Sequence, residues 1–351
     1  MEKKTTYHEQ KDVENILRLR EVLSTLPPFC RDYFRAIDTT TTTKTRISYA
    51  YDIRIFFQFL LDENPAFKDY KMTDFTVDVL DQIKALDLEE YQEYLKVYQA
   101  GDKTETNGER GLKRKISALR SFYAYYYRRE MIETNPTVLI DVPKIHDKSI
   151  IRLDTDEVAL LLDHIEHCGD QLTGQKRVYY EKNKERDLAI VTLLLGTGIR
   201  VSECVGLDIE DVDFKNNGIK VTRKGGNEMV VYFGPEVEKA LKRYLEVREN
   251  IIPLEGHEHA LFYSAQRRRI GVQAIENLVK KYSQQITTTK KITPHKLRST
   301  YGTALYQETG DIYLVADVLG HKDVNTTKKH YAAIDDARRR QAAKAVKLRE
   351  D

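Results

Sequence analysis

Cysteine is scarce in this chain. Only Cys30, Cys168 and Cys204 occur in 351 residues, far apart and without a CxxC pair. That excludes a thiolate zinc site on paired cysteines and a disulfide framework, and leaves reduced thiols in a cytosolic protein as the simple expectation. The N-terminal stretch MEKKTTYHEQKDVEN lacks the apolar run of a secretory leader, and the longest largely apolar run, 188–195, is far too short to span a bilayer. A cytoplasmic protein with no membrane partner is expected. Net charge is scarce too: 57 Lys and Arg face 55 Asp and Glu, net +2, so no global positive field announces a polyanion partner. A Walker A loop, a paired-carboxylate magnesium signature, an internal repeat and a long low-complexity tract are all missing. No cofactor and no metal is expected.

What is present is unevenly placed. Basic residues cluster at Lys113, Arg114 and Lys115, at Arg128 and Arg129, at Arg267, Arg268 and Arg269, and at Arg338, Arg339 and Arg340, while acids gather over 208–213. One basic cleft and an acidic exterior would produce the near-neutral average. The length exceeds that at which single cores stop growing, so two domains are expected. Apolar residues recur at helical spacing over 11–26, ended by Pro27 and Pro28, and again over 44–62, 89–99 and 112–131. Thr39 to Thr43 either cap the second of these helices or offer hydroxyl and N–H groups to a phosphate. The helix over 112–131 carries Lys113, Arg114 and Arg120 among its apolar positions, either as a DNA-facing row or as a solvated face. Asn135-Pro136 and Asp141-Val142-Pro143, with the charged residues after them, mark a linker. The first domain, 1–145, therefore reads as all-helical.

The second domain, 146–351, reads as mainly helical with one small antiparallel sheet. Helices are expected over 184–195, 235–249, 271–285, 294–308 and 312–319, with shorter ones around 331 and over 337–348. Strands over 218–223 and 227–233 flank Lys224-Gly225-Gly226, a glycine-rich hairpin turn.

Six residues of this half can carry chemistry on a phosphodiester. Arg200 follows Gly196-Thr197-Gly198-Ile199, where a helix must stop and the chain must turn. Thr293 can cap a helix with Pro294 at its first position, which sets His295 and Arg298 at i and i+3 near the positive end of the helix dipole. His321 follows Leu319-Gly320, Tyr331 lies ten residues further on, and Lys224 occupies the hairpin turn. Arginine presents a planar fork that matches the non-bridging oxygens of a phosphate, and a phenol can attack phosphorus. A free phenol titrates near about 10, so Tyr331 needs a base and cationic neighbours at neutral pH. Taken singly, each residue has a plainer reading. Arg200 can be a surface charge, His295 and Arg298 a structural pair, and His321 a helix-end histidine on a carbonyl. Tyr331 can be a buried aromatic and Lys224 a solvated turn lysine.

Taken together, the stretches GTGIRVSE, VTRKGG, HKLRST, LGH and HYAAI, in this order, resemble the tyrosine site-specific recombinases of the phage-integrase superfamily. The Xer recombinases, and among them the single-recombinase XerS branch, are the nearest fit. The resemblance covers about residues 150–340; residues 1–145 agree in layout but carry no diagnostic motif. It implies that Arg200 and Arg298 clamp the scissile phosphate and that Tyr331 is the nucleophile. It further implies that Lys224 protonates the leaving 5′-hydroxyl, His295 accepts the tyrosine proton, His321 donates to a non-bridging oxygen, and Glu203 supports the site. The intermediate would be a 3′-phosphotyrosyl linkage, which conserves phosphodiester energy and allows rejoining without ATP.

The fold implied is a helical core-binding domain and an integrase-type catalytic domain closing around double-stranded DNA. Lys44, Arg46, Lys113, Arg114, Arg120, Arg267, Arg268 and Arg269 are candidate backbone contacts. A homo-tetramer on paired sites would exchange strands through a Holliday junction, with a DNA translocase of the FtsK type as a possible partner and the segment 337–348 docking onto a neighbouring protomer. Chromosome-dimer resolution at a dif-like site is the role implied. A phage or conjugative-element integrase, a type IB topoisomerase and a DNA-binding protein without catalysis are the competing readings. Two departures stand out: Ser299 occupies a position where many relatives have histidine, and Ala332-Ala333 replaces the common Thr-His after the tyrosine.

Overall fold

The structure, a computed structural model, describes residues 6–145, 150–223, 226–321, 323–325 and 327. It divides into two compact units, Met1–Lys148 and Ser149–Asp351.

In the first unit, helix α1 (Tyr7–Ser24) opens on a reciprocal capping box: Thr6 Oγ1 accepts the Glu9 N–H and the Glu9 carboxylate accepts the Thr6 N–H. Helix α2 (Cys30–Ala36) precedes α3 (Thr43–Glu63), whose first turn is capped by Thr42. Two shorter helices, α4 (Val79–Gln82) and α5 (Ala85–Tyr94), lead on, past a hairpin, to α6 (Glu109–Arg128). Helical spacing puts Ile47, Ala50, Ile53, Phe56, Phe57 and Leu60 of α3 in one core with Ile116, Leu119, Phe122, Tyr123 and Tyr126 of α6. The rings meet edge to face, Phe122 lying 5.2 Å from Tyr33 and 5.1 Å from Tyr126. Their polar ends are satisfied, since Tyr33 donates to Ser121 Oγ and Tyr126 to the Phe29 carbonyl.

The hairpin between α5 and α6 corrects the all-helical expectation for this unit. Strands β1 (Val97–Ala100) and β2 (Lys103–Thr106) pair antiparallel, Val97 opposite Thr106, about a turn in which Gly101 has φ +63°. Strand β1 takes the last three residues of the helix expected over 89–99, which ends at Tyr94. Both strands are almost wholly exposed, so no alternation of apolar and polar residues marks them in the sequence.

The second unit is mainly helical with a small antiparallel sheet. Helix α7 (Thr155–His167) packs on α8 (Gly174–Thr197), which begins ten residues before the expected position. Every residue of α8 from Leu188 to Leu194 is buried, because α7, α10 and α12 cover it on different sides. A short helix, α9 (Val201–Gly206), leads into a sheet of order β3-β4-β5. Strands β4 (Gly218–Thr222) and β5 (Glu228–Tyr232) match the expected hairpin, and β3 (Val212–Asp213) adds a short edge. Helices α10 (Pro235–Arg248), α11 (Val272–Ile286), α12 (Pro294–Thr309) and α13 (Ile312–Leu319) follow. Pro294 starts α12 as expected, but the Thr293 side chain makes no capping hydrogen bond. The helices expected around 331 and over 337–348 lie outside the described residues. Among those described, no helix is long and apolar enough to cross a membrane.

Candidate active site

The site is built on two helix ends that only glycine can make. Helix α8 stops at Gly198, which has φ +63°; a side chain there would also press on the Tyr301 ring, 2.4 Å from an added Cβ. Helix α13 stops at Gly320, with φ +60°, and the His321 N–H then donates back to the Ala316 carbonyl at 2.9 Å.

Turning at Gly198 brings Arg200 to the N-cap position of α9 in extended conformation. Its backbone N–H donates to Glu203 Oε2 at 2.8 Å and its Nη1 to Glu203 Oε1 at 2.7 Å. The Glu203 side chain is 3% exposed, so this buried carboxylate fixes the guanidinium from below. The other terminal nitrogen, Nη2, reaches the Gly320 carbonyl at 3.3 Å. Arg298, on the first turns of α12 and itself buried, donates to the carbonyls of Gly198 and Leu319. Two arginines nearly a hundred residues apart thus converge on one turn, 319–320, and His321 is the next residue. Thr327, fully buried, holds His321 Nδ1 through its hydroxyl at 2.7 Å. When the threonine donates, the imidazole proton sits on Nε2, the tautomer that can donate to an oxyanion.

A third guanidinium joins the same turn. Arg223, which follows β4, donates to the carbonyls of Val318 at 2.7 Å and Asp317 at 3.4 Å. Burial lowers its pKa, and the charge of Arg200 adds to that, partly offset by Glu203. Among the described residues, three guanidinium groups thus gather at this turn with the buried Glu203 paired to Arg200, an arrangement whose positive charge suits an anion. Sequence reading quoted Arg223 within VTRKGG but passed over it for the lysine beside it. The one available signal was its place in that motif.

The structure brings together Arg200, Glu203, Arg298 and His321. His295 lies one turn before Arg298 on α12, exposed where Arg298 is buried. Lys224 and Tyr331 lie outside the described residues. Among the described residues no group of three or more His, Cys, Asp or Glu side chains could hold a metal ion. Cys204, adjacent to Glu203, is a buried thiol pushed up to about 12 by desolvation, so it offers no ready thiolate.

The candidate DNA contacts divide. Lys44, Lys113, Arg267 and Arg268 are exposed. Arg114 is half-exposed and pairs with Asp52. Three further arginines are engaged within the protein. Arg46 is held by Asp38 at 2.5 Å and by Thr43. Arg120 donates to the Thr137 and Ile140 carbonyls, tying α6 to the segment after it. Arg269 donates to the Val205 and Leu207 carbonyls and pairs with Asp208. Their forks bind the protein's own acceptors, which linear sequence cannot reveal.

Comparison with known proteins agrees with this geometry. The sequence profile of the phage integrase family matches residues 152–338, more than half of the chain. The tyrosine recombinase XerS of Lactococcus lactis subsp. cremoris is 32% identical over 350 residues, covering 92% of this chain and 96% of the relative. The tyrosine recombinase XerC of Caldanaerobacter subterraneus subsp. tengcongensis is 32% identical over 329 residues, covering 90% and 86%. Among solved structures, the fold resembles the XerH site-specific recombinase bound to difH substrate, with TM-score 0.60, 21% identity, and coverage of 86% of this chain and 78% of that one. It also resembles the Tn1549 transposon integrase in complex with circular intermediate DNA, with TM-score 0.63, 20% identity, and coverage of 89% and 98%. The chain that carries this arginine-lined turn thus belongs to the phage integrase family, as a tyrosine site-specific recombinase that cuts and rejoins DNA.

Proposed function

We propose that this recombinase is of the Xer type and resolves chromosome dimers at a dif-like site in the cytoplasm. Four copies would act on two paired duplex sites and exchange strands in pairs through a Holliday junction. A DNA translocase of the FtsK type is a candidate activator. The observation that carries the reading is the convergence of Arg200 and Arg298 on the turn before His321, with Glu203 buried beneath.

The roles are those the family resemblance implies, and the chemistry of the side chains fits them. Arg200 and Arg298 stabilise the negative charge that spreads over the phosphate oxygens as the bond exchanges. His321, oriented by Thr327, donates to a non-bridging oxygen. The Tyr331 hydroxyl attacks phosphorus in line, and its proton passes to His295, whose exposed position lets it meet a tyrosine arriving with the DNA. Lys224 gives a proton to the departing 5′-oxygen, so the bond to Tyr331 forms as the bond to O5′ breaks. Glu203 positions Arg200. The first domain, 1–145, would add Lys44 and Lys113, and the catalytic domain Arg267 and Arg268, as contacts to the DNA backbone.

Tyr331→Phe should abolish the covalent adduct on a nicked suicide substrate while DNA affinity is kept, measured by denaturing gel and by mobility shift. An adduct formed by the Phe variant would refute the nucleophile assignment. Sequencing the DNA trapped on the parent enzyme should return one site near the replication terminus; many dispersed sites would point to a mobile-element integrase.

A further inference from the structure

Arg223 does two things at once. Its backbone closes the hairpin turn from both sides: the N–H donates to the Asn227 carbonyl at 2.7 Å, and the Arg223 carbonyl accepts the Gly226 N–H at 3.0 Å. Its side chain crosses to α13, where it takes the Val318 and Asp317 carbonyls. With Arg298 on Leu319 and Arg200 on Gly320, four successive carbonyls are gripped by three arginines from three elements. The fit is close. A Cβ added to Gly320 would fall 1.5 Å from Arg223 Nη1, so the guanidinium lies against a position that admits only glycine. Arg223 Nε is buried and has no hydrogen-bond partner among the described residues. An unpaired buried donor on a charged group is costly, and stability alone would not favour it at this place.

From this geometry we infer that Arg223 is a positioning residue of the recombinase: it fixes the turn that Lys224 opens to the end of α13 from which His321 follows. The inference rests on the proposed role of Lys224 as proton donor to the leaving oxygen. Arg223 itself touches no reacting atom. Its loss should uncouple the lysine from the phosphate while leaving the arginine clamp in place.

Replacing the 5′-bridging oxygen by sulfur tests this. The phosphorus–sulfur bond breaks without a proton because a thiolate is a far better leaving group than an alkoxide, so the step no longer needs Lys224. Single-turnover adduct formation would be measured with the full chain on nicked sites carrying oxygen or sulfur. Arg223→Gln should cleave the oxygen substrate about 100-fold more slowly than the parent, the scale of a small misplacement of a reacting group. It should approach the parent rate on sulfur, as should Lys224→Ala. Arg223→Lys keeps the charge but not the fork, and should behave like Arg223→Gln. If Lys224→Ala is rescued by sulfur and Arg223→Gln is not, the proton-donor reading stands and this inference falls. If Lys224→Ala is not rescued, that reading fails and the inference fails with it.

Discussion

Each unit buries a network of charges, and the two networks are closed in different ways. In the first, the Asp52 carboxylate, 1% exposed, meets the Lys115 ammonium, 7% exposed, at 3.4 Å and the fork of Arg114 from the next position on α6. One acid meets two bases there, but Arg114 is half-exposed to solvent, so the buried pair of Asp52 and Lys115 is matched within the protein. In the second, three arginines converge on the end of α13, Arg200 pairs with the buried Glu203, and backbone carbonyls, which carry no net charge, complete the grip among the described residues. We read the first as a fastening between helices and the second, rich in guanidinium groups among the described residues, as a site suited to an anion. Burial of arginine alone does not separate structural from functional sites, whereas the balance of charge around it does.

Four expectations press on that contrast. The largest effect belongs to the second network: Arg200→Gln should slow adduct formation by about 10³-fold, near 4 kcal/mol of barrier, with DNA affinity changed little. Parallel loss of affinity and rate would make Arg200 an ordinary binding residue. Asp52→Ala should instead cost about 3 kcal/mol of stability at neutral pH, because Lys115 would be left buried without a counter-charge. Urea unfolding of the full chain would measure it, and an unchanged midpoint would refute the matched-network account.

A smaller, pH-dependent effect follows from the same residue. Burial raises the Asp52 carboxyl above the usual range, the pull of Arg114 and Lys115 notwithstanding. The folded state therefore binds this proton more tightly than the unfolded chain. Its contribution to stability is fully present below the ordinary carboxylate value of about 3.9 and is lost as pH rises through the folded value. Asp52→Asn should flatten that limb of the stability profile, and an unaltered limb would place the titration elsewhere. The smallest effect separates neighbours in one basic triplet. Arg267→Gln should weaken DNA binding a few-fold and lower the salt slope by about one, while Arg269→Gln, whose fork holds the Val205 and Leu207 carbonyls, should shift stability and leave the slope alone.

Much of this was legible in the sequence, and the exceptions share a cause. Gly198, Pro235, Pro294 and the Lys224-Gly225-Gly226 turn announced helix ends and the β4–β5 hairpin because glycine and proline restrict or free the backbone locally. The hairpin over 97–106 escaped because its strands bury almost nothing, and the first turns of α8 escaped because 174–184 is polar. Arginines were visible as charges, but not the carbonyls they would meet. The sequence shows Arg46, Arg120 and Arg269 only as candidate DNA contacts, and not that each also holds an acceptor within the protein. Arg223 went unweighed for the same reason.

The claim that the α13 turn carries spare positive charge for the scissile phosphate can be tested by removing the charge from the substrate. A methylphosphonate at the scissile position is neutral, and adduct formation by the parent and by Arg200→Gln can be compared on it and on the ordinary diester. The account predicts that the roughly 10³-fold penalty on the diester shrinks to a few-fold on the neutral linkage; the same penalty on both would contradict it.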